Sequence, residues 1–330
     1  MTGAQTLRGD TATRRRPELS VVVPLHNEEA NVAPLYAAVV DALQSAGIDF
    51  ELILVDDGSR DGTSRLAAGL AHGDNRVCLV RLRRNFGQTA AMAVGIRTSR
   101  GRLVATMDGD GQNDPTDIPA MVALIEAGSD IVVGWRRKRQ DSRLRVIPSK
   151  IANWMMRRIM RTSVKDTGCS LKVYRGNLIR NVPLYSDMHR FIPALAGLAG
   201  ARLAQMQVKH HARMWGHSKY GYSRIGKVFL DLISIRFLLS FSKRPYAWVL
   251  GLAVPFSAVG VAAILVGFWH AILWREDDVV LLGVGLLAGS LAVFTVMWGL
   301  IGLLIAETSA SNLQQFARVA AELSQRDVEE

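Results

Sequence analysis

Cysteine is nearly absent from this chain: Cys78 and Cys169 are its two thiols, far apart and without metal-ligand spacing. Neither a disulfide framework nor a zinc site is indicated. Charge is absent from two long stretches, 245–274 and 279–306. Each exceeds the ~20 apolar residues that span a bilayer, so both are expected to be transmembrane helices. Arg14, Arg15 and Arg16 have no apolar h-region behind them. Residues 1–17 are therefore expected to be a disordered basic lead-in and not a signal peptide.

What is present divides the chain unevenly. At 330 residues and 49% hydrophobic, with a mean hydropathy of +0.15, it is too apolar for an ordinary soluble protein and too polar for a polytopic transporter. The formal charge is +11, and its location matters more than its size. Between 136 and 161 stand ten Lys/Arg against Asp141 alone, which is +9 of the +11. A concentrated patch points to a local anionic target; nucleic acid is not expected as a partner. Residues 147–161 read as an amphipathic helix, with Lys150, Asn153, Arg157 and Arg161 on one stripe and Ile147, Ile151, Met155 and Ile159 on another. A basic face beside aliphatics and Trp154 fits a helix lying in the headgroup layer.

The connection Arg275-Glu276-Asp277-Asp278 between the two apolar stretches is net acidic. Arg236, Lys243 and Arg244 flank the pair on one side, and Arg318 and Arg326 on the other. The positive-inside bias then places the domain 18–222 and the tail 307–330 in the cytosol, at the inner (cytoplasmic) membrane. Residues 223–244, apolar but broken by Lys227, Asp231 and Arg236, are expected to be juxtamembrane interfacial helices.

From 19 to 135 short β-branched runs alternate with helical segments. Strands are expected at 19–23, 51–55, 77–82, 103–107 and 130–134, with helices at 32–46, 63–71, 89–98 and 119–127. The strands are near-continuous apolar runs, as when helices cover both sheet faces. The fold class is α/β with a mainly parallel sheet, whose ligands sit at the carboxyl ends of the strands. Polar clusters fall at those ends: His26-Asn27-Glu28, Asp56-Asp57-Gly58-Ser59, and Asp108 to Gln112.

Asp108, Asp110 and Gln112 offer two carboxylates and an amide on one loop, a set suited to Mg²⁺ or Mn²⁺ shared with a diphosphate. Alone, that spacing is equally a capped turn. An Asp at 56 or 57 can accept the N–H of a uracil or guanine edge, while Ser59 and Asp61 are good helix caps. His210, His211 and His217 are close in sequence, but adjacent strand residues point to opposite faces, so no metal cluster is expected.

The runs SVVVPLHNEEAN, LILVDDGSRDGT, RNFGQTAAMAVGI and MDGDGQNDPTDIP resemble the nucleotide-sugar-binding core of family 2 glycosyltransferases. Together with DTGCSLKVYR and ARMWGHSKYGYSRIGK they are most similar to the branch that transfers sugars to dolichol or undecaprenyl phosphate. The resemblance implies a GT-A-type fold and an inverting, metal-dependent transfer from a UDP- or GDP-linked sugar to polyprenyl phosphate. It assigns Pro24, Asn27, Glu28, Asp56, Asp57 and Asp108 to the nucleotide, and Asp108, Asp110 and Gln112 to the metal. Arg213, Ser218 and Lys219 would close on phosphates, and Asp166 would sit near the acceptor. On this reading Asp110, Asp166, Arg213 and Lys219 carry the catalysis. Arg136, Arg137 and Arg139 are candidates to grip the lipid phosphate. His26 stands where Tyr is common, and Gly111 replaces a bulkier residue. A homo-oligomer is compatible with the same branch. The alternatives are a silent membrane adaptor, which has no need of this full set, and a polysaccharide synthase, whose Gln-x-x-Arg-Trp motif is missing.

Overall fold

The computed structural model describes residues 4–8, 16–136, 164–180, 182, 190, 192–198, 200–212, 245–274 and 283–301. They fall into two compact units, one containing the residues up to 212 and the other the two apolar helices. The basic segment 137–161 and the juxtamembrane stretch 223–244 lie outside the described residues.

The first unit is an α/β layer structure. Its strands are β1 (Ala4–Arg8), β2 (Leu19–Leu25), β3 (Phe50–Asp56), β4 (Val77–Leu82), β5 (Leu103–Thr106), β6 (Ile131–Trp135), β7 (Lys172–Arg175) and β8 (Leu203–Gln207). They form one sheet in the order β1-β4-β3-β2-β5-β7-β6-β8. Parallel pairs join β4, β3, β2 and β5, while β7 lies antiparallel between β5 and β6, and β8 is parallel to β6. Because β7 reverses twice, β6 and β8 run with β5. The sheet is mixed, but the carboxyl ends of β2 to β6 share one edge, joined by the start of β7.

Strand alternation builds two cores, one on each face. Val21, Val23, Leu52 and Leu54 pack with Val32, Leu35, Val39 and Leu43 of α1 (Glu29–Ser45), with Ala67 and Ala71 of α2 (Thr63–Gly73), and with Met121 and Ile125 of α4 (Ile118–Glu126). Val22, Ile53, Val55 and Tyr174 pack with Ala91, Met92 and Ile96 of α3 (Gln88–Thr98). Leu178 of α5 (Gly176–Arg180) and Ala196 of α6 (Ile192–Leu198) complete that face. Helices therefore cover both faces, which is why the strand interiors tolerate so few polar residues. Both cysteines are buried, and no disulfide joins them.

The lead-in expected to be disordered contributes a strand. Ala4–Arg8 pairs antiparallel with β4, Ala4 opposite Leu82 and Arg8 opposite Cys78. An unpaired edge strand carries a row of open backbone donors and acceptors, and this short polar segment caps that edge.

In the second unit, α7 (Pro245–Trp274) is continuous over 30 residues, and α8 runs from Gly283 to Ile301. Among the described residues, α8 is the helix long and apolar enough to cross a membrane. The two approach through small residues: a Cβ placed on Gly260 would fall 3.2 Å from the Gly289 nitrogen and 3.3 Å from the Gly285 oxygen. Close backbone contact of this kind is how apolar helices associate without a hydrophobic driving force. Leu265, Phe268, Trp269, Leu286, Leu287 and Phe294 are exposed around the contact.

Candidate active site

The loops that leave β2, β3 and β4 are tied into one platform by their own polar groups. Leu25 stands opposite Asp56 in the sheet, which brings the two loop starts together. Beyond Pro24, Asn27 adopts a left-handed φ of 51°. Its amide donates to Ser59 Oγ at 3.0 Å, and its side-chain oxygen accepts from the Arg60 amide at 2.8 Å. Glu28 accepts from Asn31 Nδ2 at 2.7 Å, and its amide donates to Thr63 Oγ1 at 2.8 Å. The His26 ring meets the Asp57 carbonyl through Nδ1 at 2.9 Å.

Asp56 and Asp57 divide their work. Asp56 accepts from the Ser59 amide at 2.9 Å and so shapes its own turn. Asp57 reaches across to the loop after β4, accepting from the amides of Phe86 at 2.7 Å and Gly87 at 2.9 Å. Burial raises the Asp57 pKa, and those two amides oppose the rise. Gly58 has a φ of +65°, and a Cβ there would meet the Arg84 carbonyl carbon at 2.5 Å. Only glycine lets the two loops close on each other.

Asp108 and Asp110 follow β5, as expected, with Asp110 only 7% exposed. Gln88, the first residue of α3, donates from its amide to Asp108 Oδ1 at 2.6 Å. Burial, then the neighbouring charge of Asp110, push the Asp108 pKa up. A hydrogen bond from Ser170 and the charges of Arg136 and Arg190 oppose the rise. The Gln112 amide donates to Asp110 Oδ1 at 3.2 Å. Gly111, read from sequence as a departure, has a φ of +72°, so glycine relieves strain at the bend. The donor set is all oxygen, which fits a hard divalent cation. Among the described residues no three His, Cys, Asp or Glu side chains converge.

Where β6 ends, Arg136 does not project freely toward an acceptor. Its Nε donates to Asp166 Oδ2 at 2.8 Å and its Nη2 to Oδ1 at 3.1 Å, a two-pronged pair. The two side chains are 13% and 4% exposed. Next to them Lys172 opens β7 and is 2% exposed, and burial lowers its pKa to about 8. Burial likewise pushes the Cys169 thiol up to about 11, leaving it neutral and unreactive. Outside the pair, the Lys165 ammonium sits 4.3 Å from the centre of the Trp135 ring.

The site as found thus brings together Pro24, Asn27, Glu28, Asp56, Asp57, Asp108, Asp110 and Gln112 on one edge, with Arg136 and Asp166 farther along it. Arg137, Arg139, Arg213, Ser218 and Lys219 lie outside the described residues. Sequence reasoning passed over Gln88, Ser170 and Lys172. Ser170 Oγ accepts from Asn113 Nδ2 at 2.8 Å, and its carbonyl accepts from Thr106 Oγ1 at 2.9 Å. A serine and a lysine inside the apolar run CSLKV were the available signal.

A GT-A-type α/β domain with paired carboxylates at a strand end defines the class: a nucleotide-sugar enzyme. The family model for glycosyl transferase family 2 matches residues 20–185. The chain belongs to that family and is a glycosyltransferase. It is 44% identical to a dodecaprenyl-phosphate galacturonate synthase of Rhizobium johnstonii, over 93% of each chain. To an undecaprenyl-phosphate 4-deoxy-4-formamido-L-arabinose transferase of Shewanella sediminis it is 38% identical, over 66% of each. In fold it is similar to glucosyl-3-phosphoglycerate synthase of Mycobacterium tuberculosis, crystallised with Mn²⁺, UDP and phosphoglyceric acid. That match has a TM-score of 0.50 at 19% identity and covers 67% of this chain and 78% of the other.

Proposed function

We propose that this chain transfers a sugar from a nucleotide donor to the phosphate of a polyprenyl lipid, with UDP-galacturonate the donor to test first. The observation that carries the reading is a row of charge along one sheet edge. Asp108 and Asp110 stand at the end of β5, and the buried Arg136–Asp166 pair and Lys172 stand beside them. Cations held next to a carboxylate pair suit the meeting of two phosphorylated substrates. The donor choice follows from the galacturonate synthase, whose likeness runs over nearly the whole chain.

Asp108, Asp110 and Gln112 would hold Mg²⁺ or Mn²⁺. Such an ion, when bound, offsets the diphosphate charge and stabilises the leaving group. Gln88 fixes the rotamer of Asp108 for that task. An oxygen of the lipid phosphate forms the new bond to the anomeric carbon, the bond to the diphosphate breaks, and the nucleotide leaves with the electron pair. With a second pKa near 6, by analogy to phosphorylated side chains, that phosphate is ionised and needs no base. Asp166 is committed to Arg136 and orients it, and the guanidinium charge would attract the incoming anion. Arg213, Ser218 and Lys219 complete the grip on phosphate.

The domain works at the cytosolic face of the inner membrane, with 245–274 and 279–306 as its two spans and the acidic turn outside. An externally accessible tag at 275–278 should label in intact cells, and labelling at residue 10 would reverse the orientation. For the activity, full-length protein in detergent is given undecaprenyl phosphate, Mn²⁺ and radiolabelled UDP-galacturonate, UDP-glucose, UDP-formamidoarabinose or GDP-mannose. Label should enter lipid from UDP-galacturonate; incorporation from another donor alone would correct the sugar, and none from any donor would sink the reading.

A further inference from the structure

Past the end of β8 the chain turns back along the loop that carries Asp110 and Gln112. The Lys209 amide donates to Asp117 Oδ2 at 2.7 Å, and its ammonium donates to Thr116 Oγ1 at 3.0 Å. His210 forms an isolated antiparallel bridge with Asn113. The His211 amide donates to the Gln112 carbonyl at 2.9 Å. The His211 ring closes the row, its Nε2 3.1 Å from Asp114 Oδ2, while the Lys209 ammonium stands 3.6 Å from the same oxygen. Three consecutive residues thus bind successive positions of the 112–117 segment.

That segment is held at one end by β5 and at the other by the turn Pro115–Asp117 that starts α4. Between them lies the left-handed bend at Gly111, the natural pivot of the loop. The bonds from 209–211 fall just beyond this pivot, where a free loop would have most latitude. The side chains of His211 and Lys209 are 56% and 61% exposed, so their ion pairs add little to global stability. Their worth is in orientation. Two residues after His211 stands Arg213, the first residue that the family resemblance assigns to the phosphates.

We propose that residues 209–211 are a positioning strap for the candidate metal loop, His211 holding Gln112 through its backbone and Asp114 through its ring. The strap links the loop that meets the donor diphosphate to the chain that leads into Arg213. It rests on the assignment of Asp108, Asp110 and Gln112 to metal and diphosphate made under the proposed function. His211 is a positioning residue that acts through Gln112 and Asp114.

The test is calorimetric binding of UDP, with and without Mn²⁺, to the full-length protein, alongside its melting temperature. His211→Ala should weaken UDP binding in Mn²⁺ about tenfold, the low end of what loss of an outer-shell partner costs a metal site. Binding without metal and the melting temperature should stay as in the wild type. His211→Gln, which can still donate to Asp114, should recover most of the loss. Asp114→Ala, which also removes the Thr116 bonds, should lose at least as much as His211→Ala, and the double variant should be no weaker than Asp114→Ala, as for residues acting as a unit. Unchanged binding in His211→Ala, equal losses in the Ala and Gln variants, or multiplied losses in the double variant would each overturn the strap. If the wild type transfers nothing to polyprenyl phosphate yet binding follows this pattern, the strap stands and the proposed function falls.

Discussion

The two halves of the sheet edge are built from different interactions. In the donor half, around β2, β3 and β4, carboxylates and side-chain amides bind neutral backbone N–H groups: Asp57 with Phe86 and Gly87, Asp56 with Ser59, Asn27 with Arg60. In the acceptor half, where β6 ends and β7 begins, carboxylate binds cation: Asp166 pairs with Arg136. A neutral base edge can be met by a preformed cup of loops. An anion is met well by cations, and buried cations are themselves stabilised by carboxylates. Under the proposed function, the first half would meet the nucleotide and the second the lipid phosphate.

The largest effect should come at the boundary between the halves. Asp110→Ala should lower kcat/KM for transfer by roughly 10³, the upper range for loss of a preorganised electrostatic contact. Full activity would remove the metal assignment.

Next in size is the acceptor half. Arg136→Ala and Asp166→Ala should each cost roughly 10² in kcat/KM, and the double variant little more, because the two residues act as a unit. In Asp166→Asn the acid limb of the pH–rate profile should persist near pH 6, set by about the second phosphate ionisation. A limb that vanishes with Asp166 would make that carboxylate the base.

Gln88→Ala probes the donor half. It should weaken Mn²⁺-dependent UDP binding about tenfold while leaving the apparent KM for lipid unchanged, since its amide holds Asp108. A shift in the lipid KM would blur the division between halves.

The smallest effect belongs to an ion pair of the donor half that lies away from the site. Asp74 is bound by Arg76 at 2.7 Å and by the Tyr36 hydroxyl at 2.8 Å. Although burial raises its pKa, the Arg76 hydrogen bonds outweigh this and hold it at about 2, against an ordinary 3.8. Its contribution to stability is therefore complete above pH 3.8 and lost as pH falls through about 2. Asp74→Asn should remove that part of the acid unfolding curve and leave transfer untouched.

Much of the donor half was legible in sequence because each of its strands is a nearly unbroken apolar run that ends in polar residues. The paired loops followed from that placement. The acceptor half was harder to read. β7 is four residues long and begins with Lys172, and it exists because it fills the gap between β5 and β6 in the sheet. β8 is a half-exposed edge with a weak pattern, and β1 is a polar strand that needs β4 as its template. Tertiary pairing decided those three, and no local run encodes it. Arg136 was legible as a cation just past a strand end, but its commitment to Asp166 depends on residues 30 apart meeting across the sheet edge.

The most direct test of an acceptor half built for an anion is a comparison of acceptors. Purified full-length protein is given Mn²⁺ and labelled UDP-galacturonate with either undecaprenyl phosphate or the uncharged alcohol undecaprenol. The expected result is label in the phosphate lipid and none in the alcohol. Comparable transfer to undecaprenol would contradict it, because a neutral hydroxyl needs a base and has no use for Arg136.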